Sequence, residues 1–104
     1  MNTYNIDDIF RRYCSAVNMS YSEMLAWNKN PCSLKASLSR EPVRRNLYIL
    51  SLNKSDWTQL TCKKALKTIS YLARAREIKS SKIVACGYTK NEIALKNWAY
   101  DVKK

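Results

Sequence analysis

Histidine is absent from this sequence, glycine occurs once and proline twice. Without histidine the commonest general base is missing, and with it the usual partner that completes a zinc site. So few turn-forming residues exclude a sandwich or barrel of many short strands. Apolar runs last only a few residues, as in IVAC at 83–86, far short of the roughly 20 needed to span a bilayer. There is no Gly-rich phosphate loop and no C-x-x-C pair. The opening MNTYNIDDIF has acidic residues and no apolar stretch behind a basic patch, so it does not read as a secretory signal and a cytoplasmic location is expected. No cysteine has a visible activating partner. Asp56, Glu77 and Lys79 could imitate the acidic-plus-lysine set of a metal-dependent nuclease, but that set normally sits on a sheet and here falls at a helix end. A non-enzymatic protein without cofactor or metal is the expectation.

What is present is ordinary globular material: 104 residues, 46% hydrophobic and 26% charged, enough for one core and too little for two. A single domain over 1–104 is expected. Cys14, Cys32, Cys62 and Cys86 are widely scattered and read as reduced, largely buried thiols, with a disulfide or an intermolecular metal site as the alternative. The net charge is +11 and uneven: residues 1–52 hold seven Lys/Arg against four Asp/Glu, residues 53–104 twelve against four. Such a surface attracts polyanions, whether nucleic acid, anionic membrane or an acidic protein.

Apolar periodicity points to helices throughout. Ile6, Ile9, Phe10, Tyr13, Cys14 and Val17 share one stripe, with Asn5 as N-cap and Asp7 and Asp8 in the first turn, giving a helix over about 5–18. SYSE at 20–23 has the capping-box pattern and opens a short helix ending near Asn28. Residues 28–41 read as a loop, with room for one helical turn around Leu34 to Leu38. Pro42 begins a helix over 42–52 that carries Val43, Leu47 and Leu50 inward and Arg44, Arg45 and Tyr48 on its flanks. The longest periodic run spans about 57 or 61 to 78, with Cys62, Ala65, Leu66, Ile69, Leu72 and Ala73 as the apolar stripe. On its outer side Lys64, Lys67, Tyr71 and Arg74 follow at spacings of three and four and line one ridge, which Lys63 and Arg76 widen. Thr89 and Glu92 form a second capping box before a helix over 90–101 that turns Leu95, Trp98, Ala99 and Val102 inward. KIVAC at 82–86 fits a short helix or a strand equally.

The expected fold class is all-α: a compact bundle of five or six short helices, one of them long, with a helix-turn-helix-like corner over 80–101. In that corner Gly87 makes the turn, Thr89 caps the second helix, and Lys90, Asn91 and Lys96 face outward. Plain core packing explains the same residues, and a Gly turn between helices is common in proteins that never touch DNA. Tyr71 within the basic ridge is placed to stack on an unpaired base or to pack against a sugar. Trp27, beside Asn28 and Lys29, is the best candidate for an exposed aromatic, and Trp98 for a core one.

NPCSLKASLSREPVRRNL at 30–47 and TKNEIALKNWAYD at 89–101 resemble stretches of short uncharacterised proteins encoded by tailed phages of cyanobacteria and other aquatic viruses. The resemblance covers about a third of the chain and carries no activity or site; what it implies is a viral origin. Two functions follow as expectations. The first is nucleic-acid binding, of DNA foremost, mainly through phosphates, by Lys63, Lys64, Lys67, Tyr71, Arg74, Arg76, Lys90, Asn91 and Lys96. The second is a virion or host-interaction protein that docks on an acidic partner through Trp27, Arg44, Arg45 and Tyr48. A homodimer fits both.

Overall fold

Four of the five α-helices among the described residues begin where an N-cap side chain accepts from a free backbone N–H group, and the one at Glu41–Leu50 begins instead with Pro42 in its first turn. The computed structural model describes residues 3–36, 39–77 and 82–104. Asn5 accepts from the Asp8 N–H to start α1 (Ile6–Ala16), and Ser20 and Glu23 close a capping box ahead of α2 (Tyr21–Lys29). A 3₁₀ turn at Pro31–Leu34 follows, capped by Asn30, so the expected turn around Leu34 to Leu38 lies earlier than read; residues 37 and 38 lie outside the described residues. Then come α3 (Glu41–Leu50), a second 3₁₀ turn at Lys54–Asp56, and α4 (Gln59–Ala75), which Thr58 caps. The end expected for this helix, at 78, is also outside the described residues.

The chain is mostly helical, close to the all-α class expected, with a small two-stranded sheet added. Ile83–Ala85 (β1) and Tyr88–Thr89 (β2) pair antiparallel, with a bulge between Ile83 and Ala85. The connection is Cys86-Gly87, with φ of +52° and +78°. Two consecutive positive φ values are what a tight hairpin turn needs to match strand twist. Between helix and strand for 82–86, β-branched Ile83 and Val84 and this turn decide for strand. The helix-turn-helix-like corner is thereby corrected, because its first helix is a strand at Ile83–Ala85.

From β2 the chain passes directly into α5 (Lys90–Asn97), capped by Thr89 and Glu92. The expected continuation to residue 101 fails at Ala99, whose φ is +67°. The Tyr100 N–H reaches back to Leu95 O and the Ala99 N–H to Lys96 O, the pair of bonds that ends a helix in a Schellman turn. Asn18 then holds the departing chain, donating to Asp101 O at 2.9 Å and accepting from the Asp101 N–H at 2.7 Å.

Packing is organised around α4. α1 lies along it, α3 and α5 also contact it, and α2 with the first 3₁₀ turn covers α3 and α5. The buried face of α4 is Thr61, Cys62, Ala65, Thr68, Leu72 and Ala75. This corrects the expected stripe, since Ala73 is exposed and two threonines are inside. Thr68 is tolerated because its hydroxyl donates to Asn46 Oδ1 at 2.9 Å, which also accepts from the Tyr13 hydroxyl at 2.8 Å. Asn46 Nδ2 in turn donates to Pro42 O at 2.9 Å, so three helices meet at one satisfied buried amide.

A second polar knot joins the other end. Trp27 Nε1 donates to Asn97 Oδ1 at 2.8 Å, Asn97 Nδ2 donates to Ser33 O at 3.0 Å, and the Arg40 guanidinium donates to both oxygens of Ser33 and to Asn28. Cys32 and Cys86 form a disulfide, with Cα atoms 6.3 Å apart, tying this region to the hairpin turn. The expectation of four reduced thiols is corrected for this pair; Cys14 and Cys62 remain free, the first exposed and the second buried. No helix among the described residues is long and apolar enough to cross a membrane.

Candidate nucleic-acid interface

Helical spacing places Lys63, Lys67 and Arg74 on the outer side of α4, with Lys64 and Tyr71 on the flank nearest α3. Between α4, α3 and the chain leaving α5 lies an open groove of about 600 Å³. Its cationic sides come from Lys63, Lys67, Arg74 and Arg45, its apolar part from Leu66, Tyr71 and Trp98. Tyr71 and Trp98 stack with centroids 4.1 Å apart and planes 14° from parallel. Burial pushes the Tyr71 hydroxyl up despite the opposing effect of Arg74, so it stays neutral at physiological pH.

A second open cavity of about 420 Å³ continues this surface along α3. Arg45 lines both, and Arg44, Tyr48 and Lys64 complete the second. Tyr48 is 49% exposed, with the Lys64 ammonium 4.8 Å from its ring centre. Arg45 is the least free of the cations: its guanidinium donates to Glu41 at 2.6 Å and lies 5.4 Å from the Trp98 ring centre. Glu41 is the one carboxylate among the described residues lining the two cavities, against six Lys and Arg. The surface therefore carries two kinds of group side by side, cations suited to phosphates and aromatic rings suited to planar groups.

Two residue sets read separately in the sequence, the α4 ridge and the Arg44, Arg45 and Tyr48 flank of α3, thus form one face. Other expected residues lie elsewhere. Trp27 is buried, at 3% exposure, which corrects its reading as an exposed aromatic. Lys96 does not face outward: its ammonium sits 4.3 Å from the Trp27 ring centre and 4.8 Å from that of Tyr88, within 3.5 Å of Asp101 and donating to the Tyr88 hydroxyl at 3.2 Å. Burial and the Asp101 carboxylate push the Tyr88 hydroxyl up to about 12, so Tyr88 donates to Asp101 at neutral pH. Burial alone would raise the Asp101 carboxyl, but the Lys103 N–H, Tyr88 and Lys96 outweigh it and hold the carboxyl below its usual range.

Lys90 is exposed and Asn91 half-buried at the start of α5, and neither lines the groove. Arg76 turns to the opposite side of α4, 5.3 Å from the Tyr100 ring centre, beside Arg11 and Arg12 on α1. Those two arginines are already shared with Asp8, at 3.1 and 3.8 Å. Sequence reasoning missed Trp98 and Glu41 as parts of the face. Trp98 reads as inward on a continuous helix; it reaches the groove because α5 stops before it.

No protein-family model matches this chain, and neither a curated protein nor a solved structure matches it.

Proposed function

We propose that this chain is a small non-enzymatic protein that binds nucleic acid, DNA foremost, through the joined face of α3 and α4. The observation that carries the reading is the concentration of six Lys and Arg on two adjoining open cavities, with aromatic rings in their lining and, among the described residues, a single carboxylate, Glu41, which Arg45 occupies. A lysine-rich helix face is common as mere solvated surface. Convergence of two helices and Trp98 on that face is what sets it apart.

The test is fluorescence anisotropy with labelled DNA across a salt series. If Lys63, Lys64, Lys67 and Arg74 each neutralise a phosphate, the slope of log affinity against log salt is about −3 to −4. Lys64→Glu, Lys67→Glu and Arg74→Glu together are expected to abolish binding while circular dichroism stays native. Retained affinity in that folded variant would remove the face from the reading.

A second reading is a virion or host-interaction protein docking the same cations and exposed Tyr48 on an acidic protein surface. The Cys32–Cys86 disulfide favours it, since disulfides persist on virions and outside cells and are rare in a reducing cytoplasm. A stoichiometric protein complex that survives high salt without nucleic acid would decide for it.

A further inference from the structure

We infer that the α3–α4 face selects single-stranded over duplex nucleic acid, using Tyr71 and Tyr48 as two stacking positions; this rests on the nucleic-acid reading above. A surface that only neutralises phosphates has no reason to prefer single strands, because duplex DNA presents the denser line of charge. This face offers more. Trp98 covers one side of Tyr71 at 4.1 Å, and Tyr71 itself lines the groove, so the part of Tyr71 open to a ligand is reached from the groove. A base entering there meets a ring already held in place by that stack, with little side-chain freedom left to lose.

Tyr48 supplies the second position. It is half exposed, with Lys64 over its ring and Arg44 beside it. Lys64, whose ammonium lies over the Tyr48 ring, and Tyr71 are seven residues apart on α4, roughly 10 Å between their backbone positions at 1.5 Å per residue. Lys67 falls between them and Arg74 just beyond, which puts cations beside each ring. Alternation of cation and ring along one line is the arrangement that holds a single strand without reading its sequence, since every base has a face to stack. In a duplex those faces are already occupied by neighbouring bases, and neither ring gains a partner.

The experiment compares a labelled 12-nucleotide oligothymidine with a 12-base-pair duplex at equal salt, for the intact chain, Tyr71→Ala, Tyr71→Phe and Tyr48→Ala. The intact chain is expected to bind the single strand more tightly. Tyr71→Ala should weaken single-strand binding by about 5- to 150-fold, the range covered by loss of one stacked base, and leave duplex binding within about twofold. Tyr71→Phe, which keeps the ring, should retain the preference. Should Tyr71→Ala fail to fold, Tyr48→Ala carries the same test, because its side chain is exposed. Duplex bound as tightly as single strand, or alanine variants that weaken both forms equally, overturns the inference while leaving the nucleic-acid reading standing. Binding to neither form at low salt overturns that reading itself.

Discussion

Replacing Asn46 by alanine tests the internal logic of the fold most directly. Asn46 is fully buried, and its Oδ1 is the acceptor for both the Tyr13 and the Thr68 hydroxyls. Burial pushes the Tyr13 hydroxyl far up, so it stays a neutral donor at any ordinary pH and must find an acceptor. In Asn46→Ala both hydroxyls lose theirs. A buried donor left unsatisfied costs about 1–3 kcal/mol. Thr68 can rotate to the carbonyl one helical turn back, so the loss falls mainly on Tyr13 and on the space vacated by the amide, about 3 kcal/mol together. That is a large part of the 5–15 kcal/mol a small domain has in total. At roughly 4–8 °C per kcal/mol, melting should fall by about 12–24 °C. Trp57, whose ring lies 5.9 Å from Tyr13 and 5.1 Å from Phe10, reports the transition by fluorescence during urea unfolding. The triple change Tyr13→Phe, Asn46→Leu, Thr68→Val removes donors and acceptor together and should recover stability to within about 1.5 kcal/mol of the natural chain. A single change costing under about 1 kcal/mol, or a triple variant as weak as the single, would refute the role given to this amide.

Four other outcomes are expected. The Cys32–Cys86 bond closes a separation of 54 residues, so Cys32→Ser with Cys86→Ser should cost roughly 4 kcal/mol on the chain-entropy account, read from urea midpoints. In the natural chain an alkylating reagent followed by mass spectrometry should then find Cys14 modified first, Cys62 only on unfolding, and Cys32 and Cys86 only after reduction. For pH, Asp101 is held below its usual range in the folded chain, so the stability it contributes is present above about pH 4 and is lost as pH falls through its folded value. Acid titration of Asp101→Asn should lack that component, and an identical acid limb in both proteins would contradict the assignment. Finally, Gly87 has φ +78°, where a side chain costs roughly 1–2 kcal/mol; Gly87→Ala should lower the urea midpoint accordingly, and no change would argue against the turn.

Local signals located the helices because helix starts are local chemistry. Asn5, Ser20 with Glu23, and Thr89 with Glu92 act within four residues of themselves, and all three cap as their spacing implies. The ridge of α4 was legible for the same reason, since positions three and four apart share a face in any helix. What failed were readings that turned on a particular distant neighbour. Thr68 is polar by composition and enters the core only because Asn46 stands opposite it. Trp27 looks exposed beside Asn28 and Lys29, yet Asn97, 70 residues away, takes its N–H. Lys96 is a surface residue by type and is drawn in by two rings and a carboxylate that come from three separate segments.

The mostly helical class, the caps and the basic outer face of α4 are thus legible along the chain alone, because each is set by contacts within a turn or two. That α3 joins this face, that Cys32 meets Cys86, that Ile83–Ala85 is a strand and that Trp98 backs Tyr71 emerge only once the chain is folded. Those depend on side chains separated by tens of residues, and a linear pattern holds no record of which distant groups will satisfy one another.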